Sequence, residues 1–234
     1  MTTEDRRQFL VRAGLGSAAL VVPFNAASAF QTAKKSGEEK GEEVSPTEDL
    51  MREHGLLNRI LLIYDHAEMQ LNQKQDFDPA VLASAADIIK RFVEEYHEKL
   101  EETYLFPRFR KANKLTDLVS VLLTQHEAGR QVTSRIQQLA NASTMKNADQ
   151  RKHLAEQLHA FIRMYRPHEA CEDTVLFPAL HQIVSKNEFD SLGEEFEKKE
   201  DQLFGEDGFE HMVDKVANLE KTVGIYDLTQ FTPK

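Results

Sequence analysis

The chain is 234 residues long, with 41% hydrophobic and 29% charged residues, so it is long enough to bury a sizeable core. Its formal net charge of −10 at pH 7 argues against nucleic acid as a partner, because such binding depends on basic patches that meet phosphates. The single cysteine, Cys171, excludes an intramolecular disulfide, and the low glycine content favours helix over sheet.

Residues 1–29 are expected to form a signal peptide. Arg6 and Arg7 precede an apolar run at residues 13–22, which is followed by the small-residue sequence Ala27-Ser28-Ala29. The paired arginines resemble a twin-arginine (Tat) signal, whose pathway carries proteins that have already folded. A retained membrane anchor is the alternative, but it needs about 20 apolar residues and this run is roughly half as long. We therefore expect cleavage after Ala29 and an exported, periplasmic protein without a membrane anchor.

Two helices are predicted after the leader. Residues 30–44 are rich in Lys, Glu, Gly and Ser and predict a flexible linker. Ser45-Pro46 begins a capping pattern with proline at the first helical position, which predicts the start of the first helix. Asp78-Pro79 is a second start signal of the same kind, and we expect this second helix to end at Pro107.

Three further helical segments are predicted towards the C-terminus. The third begins near Asn113, the fourth extends from about Ala148 to Pro178, and a fifth segment follows from Glu188 to about Val223. Since no segment has a convincing strand pattern, the predicted fold is all-α. The predicted domains are an up-down four-helix bundle at residues 45–182 and a C-terminal helical extension at residues 183–234.

The chain contains an internal repeat. The segment from His97 to Pro107 aligns without gaps on the segment from His168 to Pro178, at an offset of 71 residues. His54 and His126 are 72 residues apart, so the first and third helices repeat as well. Two helix pairs, each with a histidine on its first helix and an H-x3-E motif on its second, predict a pseudo-symmetric four-helix bundle.

Six polar residues fall on the apolar faces of the four helices. Buried carboxylates are costly unless cations or hydrogen bonds compensate them. Each H-x3-E pair spans one helical turn, so its imidazole and carboxylate project side by side, a ligand set that suits Fe, Mn or Zn. A single histidine on an apolar face is more often a core residue, but two copies at matching offsets favour a metal site. The candidate ligands are His54, His97, Glu101, His126, His168 and Glu172.

The sequence around these residues resembles the hemerythrin-like, or HHE cation-binding, domain. The resemblance covers about residues 45–180 and implies a di-iron centre, with an oxo or hydroxo bridge, in a four-helix bundle. Carried over by position, it makes Glu101 and Glu172 bridging carboxylates and the four histidines terminal ligands. The matching segments are Met51–His54, Glu94–Glu101, Leu105–Pro107, Gln125–Glu127, His168–Glu172 and Leu176–Pro178.

The ligand set is one histidine short of the oxygen-carrying hemerythrins, which have an H-x3-H pair on the third helix. Here the residues four positions from His126 are Leu122 and Arg130. Four histidines and two bridging carboxylates provide about four protein ligands per metal, which leaves exchangeable positions on both irons. This count favours redox chemistry with O2, peroxide or NO over reversible oxygen carriage.

Three functions stay open at this point. The protein could bind O2 or a related small molecule for storage, sensing or delivery; it could be an oxidoreductase acting on peroxide, NO or ferrous iron; or it could bind iron without gas chemistry. We expect Cys171 to be buried. Four tyrosines of the bundle are expected mainly to pack in the core: Tyr64, Tyr96, Tyr104 and Tyr165. The other histidines are expected at the surface or around the ligands: His66, His153, His159, His181 and His211.

Overall fold

The first helix begins where its capping sequence predicts. In the computed structural model, which describes residues 44–233, helix α1 is Pro46–Asn72. The Ser45 side chain accepts a hydrogen bond from the Glu48 N–H at 3.2 Å and caps the helix. The predicted signal peptide and all but the last residue of the predicted linker lie outside the described residues.

Helix α2 extends without a break over residues 79–111 and changes its winding along the way. Asp78 caps its start by accepting a hydrogen bond from the Ala80 N–H at 2.9 Å. Two stretches are π-helical, which is rare in proteins and often found at functional sites. The α-helical stretches are Pro79–Ile88, Glu98–Leu100 and Phe106–Lys111, and the π-helical ones are Ile89–His97 and Glu101–Leu105.

Helices α3 and α4 repeat this arrangement. Helix α3 is Thr116–Leu139 and begins slightly later than predicted, because Leu115 has a left-handed backbone conformation with φ at 52°. A short helix, Ala142–Met145, leads to α4, whose first stretch is Ala148–Cys171 as predicted. Helix α4 then continues through the π-helical stretch Glu172–Leu176 into Phe177–Leu180.

The two prolines predicted to end helices do not end them. Pro107 and Pro178 each follow a π-helical turn, in which the residue before the proline donates its N–H to the carbonyl five residues back, Glu101 or Glu172. This turn is wider than an α-helical turn, so the proline ring fits without the clash that would otherwise break the helix. Helix α2 therefore continues to Lys111, and the prediction that it ends at Pro107 is wrong.

The C-terminal extension forms two helices. Helix α5 is Lys186–Phe204 and helix α6 is Gly208–Val223, followed by a 3-10 turn at Leu228–Phe231. The break between them is at Gly205, whose φ of 83° is readily adopted only by glycine. The predicted fifth segment is thus a helical hairpin.

The four long helices form the predicted all-α bundle. Helix α4 packs against α1 and α3, and α2 packs against both as well, with short loops that join antiparallel neighbours. Between them lies a continuous hydrophobic core whose largest members include Phe92, Phe161 and Tyr64. Residues 44–233 contain no strand, and no helix in this part of the chain has the length and apolar character that a membrane span requires.

The extension packs mainly on α1 and α2. Phe204 contacts the rings of Phe92 and Tyr96, at centroid distances of 5.4 and 5.5 Å. Arg59 on α1 also donates to Glu220 on α6 at 2.9 Å. The extension therefore covers one half of the bundle and breaks its pseudo-symmetry.

Candidate metal centre

The structure brings all six predicted ligands together in the bundle interior. Each comes from one of the four long helices, and none is more than 4% exposed. Potential ligand atoms lie within 4.8 Å of one another in two groups that share a glutamate. Position 1 is the first group and position 2 the second: His54, His97, Glu101 and Glu172, then His126, His168 and Glu172.

The two glutamates lie between the positions. One oxygen of Glu172, Oε2, is 3.4 Å from Nε2 of His54 in position 1 and 3.1 Å from Nε2 of His168 in position 2. Glu101 directs Oε1 towards His97 at 3.8 Å and Oε2 towards Nε2 of His126 at 3.4 Å. Each carboxylate therefore faces one histidine of each position, which is the arrangement that a bridging ligand requires.

Every ligand histidine has a hydrogen-bond partner on its other ring nitrogen. Nδ1 of His54 pairs with Asp173 at 2.7 Å, and Nδ1 of His97 pairs with Glu53 at 2.6 Å. Nδ1 of His126 pairs with Glu102 at 3.1 Å, and Nδ1 of His168 pairs with Gln125 at 2.9 Å. Such bonds fix the orientation of each ring, so that all four Nε2 atoms face the glutamates.

These four partners were not predicted from the sequence, although each is the chain neighbour of a predicted ligand. Glu53 and Gln125 directly precede His54 and His126, and Glu102 and Asp173 directly follow Glu101 and Glu172. Each partner nevertheless bonds a histidine of another helix. A sequence signal for these partners did exist, because Glu53 and Gln125, and Glu102 and Asp173, recur at the same repeat offsets as the ligands.

The carboxylates of the site lack hydrogen bonds. Glu101 and Glu172 are 0% exposed, and none of their four oxygens accepts a hydrogen bond from the part of the chain that the structure describes. Burial, and then the charge of Glu172, raise the pKa of Glu101 well above its ordinary value. Burial also opposes ionisation of Glu172, but the imidazoles of His168 and His54 outweigh it and lower its pKa. A cation would compensate this buried charge.

The histidines differ in their electrostatics. Burial, followed by the charge of His54, lowers the pKa of His97 well below its usual range, and burial also lowers that of His126. Both rings are thus neutral, which is the metal-binding form. Burial acts in the same direction on His54, but the hydrogen bond with Asp173 and the negative charge of Glu172 raise its pKa to about 10. Metal binding at position 1 would therefore release a proton.

Two phenylalanines cover the outer side of the histidine rings. Phe177 stacks on His54 at a centroid distance of 5.5 Å, and Phe106 stacks on His126 at 5.6 Å. They come from the two Leu-Phe-Pro segments and are at most 1% exposed. These rings keep water away from the ligands and lower the dielectric around the charges.

Arg130 is, with Leu122, one of the two residues on α3 that lie four positions from His126, and its side chain bonds carboxylates outside the six candidate ligands. Its guanidinium donates to Glu98 at 2.7 Å and to Glu102 at 2.5 Å. Burial alone would raise the pKa of Glu102, but hydrogen bonds from His126, Lys99 and Arg130 lower it to about 2. Arg130 therefore keeps the partner of His126 ionised.

Tyr165 joins the same network. Its hydroxyl donates to Glu98 at 2.7 Å, and its ring lies 5.4 Å from the His168 ring between centroids. The hydroxyl fits because residue 129 is glycine: a Cβ there would lie 2.1 Å from the tyrosine oxygen. Tyr165 thus contacts a predicted ligand, whereas Tyr64 packs against Phe161 in the core.

The remaining sequence predictions have mixed outcomes. Tyr96 is buried against Phe204 of the extension, and Tyr104 donates to Glu195 at 3.0 Å. Cys171 is exposed, so the expectation of burial is wrong; it lies on the outer face of α4, beside a ligand that faces inward. The five other histidines lie away from the ligands, four exposed and one half-buried, as predicted: His153, His159, His181, His211 and His66.

Comparisons with known proteins agree with this geometry. Residues 45–180 match the family model of the hemerythrin HHE cation binding domain. The chain is 52% identical over 191 residues to uncharacterized proteins of Mycobacterium tuberculosis and Mycobacterium bovis, an alignment covering 81% of this chain and 74% of each relative. No solved structure shows significant similarity to the chain.

Proposed function

Because the chain belongs to the hemerythrin HHE cation-binding family, we propose that it binds two iron ions and that this di-iron centre binds O2 or a related small molecule. His54 and His97 would hold one ion, and His126 and His168 the other. Glu101 and Glu172, whose carboxylates face histidines of both positions, would contribute to holding both ions. The protein would serve in binding, storage or sensing of the small molecule.

One observation carries the proposal: the ring nitrogens of the four histidines are oriented as metal ligands require. All four Nδ1 atoms are hydrogen-bonded to the side chains that we call the outer partners: Asp173, Glu53, Glu102 and Gln125. All four Nε2 atoms face carboxylate oxygens that accept no hydrogen bond from the described residues. A structural histidine needs no such arrangement. The mixed imidazole and carboxylate donors suit iron, and Mn or Zn would be the less favoured occupants.

The chain's own residues would orient and shield the centre. Iron supplies open coordination positions and a reversible change of oxidation state when bound. Asp173, Glu53, Glu102 and Gln125 hold the imidazoles, and Phe106 and Phe177 exclude water from their outer sides.

A second candidate is an oxidoreductase that acts on peroxide, NO or ferrous iron. The observation that favours it is that neither residue four positions from His126 adds a ligand: Leu122 is apolar, and Arg130 donates to Glu98 and Glu102. Both metal positions would then keep exchangeable coordination sites. Iron binding without gas chemistry is the third outcome of the test below.

Metal analysis and optical spectroscopy of anaerobically purified protein, followed by exposure to O2, peroxide and NO, test the proposal. We expect two iron ions per chain and an oxo-bridge absorption band after oxidation. A stable adduct supports small-molecule binding, and catalytic turnover supports the oxidoreductase. Iron that reacts with none of the three leaves a metal-handling role. A single tightly bound zinc ion would sink the di-iron assignment.

We also propose that the protein is exported to the periplasm through residues 1–29. The support is the order of the leader: paired arginines, a short apolar run and a small-residue cleavage sequence. N-terminal sequencing of the protein from its native host should give a chain that begins after Ala29. Replacement of Arg6 and Arg7 by lysine should retain the full-length chain in the cytoplasm, and unchanged export would contradict the twin-arginine route.

A further inference from the structure

The repeat extends from the ligands to their outer partners. Asp173 and Glu102 are equivalent by the 71-residue offset, and they bond the equivalent histidines His54 and His126. The buried Glu169 and Glu98 are equivalent in the same way. The surroundings of the two metal positions are thus similar, and two of the equivalent pairs that differ between them are informative.

The first difference is between Glu53 and Gln125, which are equivalent by the 72-residue offset. Glu53 gives His97 of position 1 a carboxylate acceptor, whereas Gln125 gives His168 of position 2 a neutral amide. A carboxylate that accepts from Nδ1–H makes the imidazole a stronger ligand than an amide does, because it favours the positive charge that the ring acquires on the metal.

The extension increases this difference. Glu53 is 3% exposed, and oxygens of Glu200 on α5 and Asp49 on α1 lie within 4.8 Å of its own. Gln125 is half-buried on α3, outside the face that the extension mainly covers. Three carboxyl groups therefore lie together on the Glu53 side of position 1, one of them paired with Arg52, and the burial of Glu53 strengthens their Coulomb attraction for a cation.

The second difference is between Asn58 and Arg130, again equivalent by the 72-residue offset. Asn58 donates to Glu169 beside position 1, whereas Arg130 donates to both Glu98 and Glu102 beside position 2. Arg130 thus places a positive charge next to the partner of His126. In the described part of the chain no Lys or Arg forms an ion pair with Asp173, the equivalent partner of His54.

We propose that the two metal positions are unequal: position 1 binds its ion first and retains it, and position 2 binds its ion second and exchanges it. This inference rests on the proposed two-metal centre. Both differences act in the same direction, since Glu53 is a carboxyl group near position 1 where position 2 has a neutral amide, and Arg130 adds a positive charge near position 2. Position 2 is then where metal ions enter and leave the centre.

Anaerobic titration of the metal-free full chain with Co2+, followed by calorimetry and visible absorption, tests the inference. We expect two binding steps with dissociation constants that differ at least about tenfold, the lower range of outer-partner effects on metal affinity. His126→Ala should keep one site with the affinity of the tighter step, and His54→Ala should keep one with the affinity of the weaker step. The reverse assignment overturns the inference.

Matched substitutions of the outer partners identify the cause. Gln125→Glu should tighten the weaker step about tenfold, and Glu53→Gln should weaken the tighter step by a similar factor. Glu127→Gln is the control, because it makes the same chemical change beside His126 at an exposed side chain that faces Gln131. Circular dichroism verifies that each variant is folded.

Two further outcomes separate this inference from the proposed function. Two equal steps in the wild-type chain would overturn the inference and leave the two-metal centre intact. Uptake of fewer than two Co2+ ions would contradict the proposed centre and the inference together.

Discussion

Nδ1 of His97 and Oε2 of Glu53 lie 2.6 Å apart, although the two residues are 44 positions apart in the chain. This contact joins α1 to α2 inside the bundle, and it ties a predicted ligand to the residue directly before another one. The equivalent contact between His168 and Gln125, at 2.9 Å, joins α3 to α4. Ligand geometry and helix packing are thus secured by the same bonds, so the site is formed as the bundle closes.

Glu101→Gln should reduce metal binding from two ions per chain to one or none. The amide keeps the size of the side chain but removes the charge that faces both His97 and His126. Because burial raises the pKa of Glu101, the same variant should be more stable than the wild type when metal-free at pH 8. Elemental analysis and urea denaturation measure the two effects.

His211→Ala is the matched control for that experiment. His211 is exposed on α6, away from the ligands, so metal content should stay at the wild-type value. Full two-metal occupancy in Glu101→Gln would contradict the bridging role of Glu101.

The sequence predicted the all-α bundle, and the six candidate ligands lie together at its centre, because each property is encoded locally and twice. Caps such as Ser45 and Asp78 specify where helices begin, and the repeated H-x3-E motif specifies an inward face. The pairing of each outer partner with its histidine could not be predicted from such local patterns. Whether Glu53 bonds His54 or His97 depends on how α1 packs against α2, which no local pattern specifies.

The π-helical turns were missed for a related reason. A proline after a helical pattern normally predicts an end, as at Pro107. Whether the preceding turn widens instead is a tertiary matter, because the wide turn places Glu101 towards the bundle interior and depends on the contacts made there.

Glu169 should make a contribution to the stability of the metal-free protein that becomes increasingly unfavourable as the pH rises from about 4.3 to about 8. Burial is the main reason that the pKa of Glu169 is raised to about 8, while this group ionises in the unfolded chain with a pKa of about 4.3. Below about pH 4.3 both states hold the proton, so stability is unaffected. Above it the unfolded state loses its proton first, which favours unfolding until the folded pKa is passed.

Glu169→Gln isolates this contribution. The amide oxygen can still accept the hydrogen bond from Asn58, and it has no charge to lose. Urea denaturation of the metal-free proteins should show equal stability near pH 4 and a variant that is more stable by about 1–3 kcal/mol at pH 8.5. If the free energies of unfolding of the two proteins changed in parallel over this pH range, Glu169 would not be the group that titrates.

Gly129→Ala should destabilise the protein by about 1–3 kcal/mol, although alanine is the better helix former by about 1 kcal/mol. The added Cβ would lie 2.1 Å from the Tyr165 hydroxyl oxygen and 2.9 Å from the carbon that carries it. Displacement of this buried ring would also break its hydrogen bond with Glu98. Thermal unfolding of the metal-free protein measures the cost.

Two companion variants make this prediction specific. Gly55→Ala, on α1, should stabilise the protein by up to about 1 kcal/mol, because nothing lies within 4 Å of its added Cβ. Tyr165→Phe combined with Gly129→Ala should recover part of the loss by removing the closest atom. Equal effects of the two glycine substitutions would show that the contact with Tyr165 is unimportant.

The extension should contribute to the stability of the whole bundle. Phe196 on α5 is 1% exposed and packs edge-on against Tyr104 of α2, at a centroid distance of 5.7 Å. Phe196→Ala would leave a cavity between the extension and the bundle, so we expect a loss of about 3–5 kcal/mol in the free energy of unfolding. Leu203→Ala, on the same helix but 57% exposed, should change it by less than about 0.5 kcal/mol. Urea denaturation followed by circular dichroism should give one cooperative transition for both variants. A separate early transition in Phe196→Ala would mean that the extension unfolds on its own and leaves the metal centre's bundle intact.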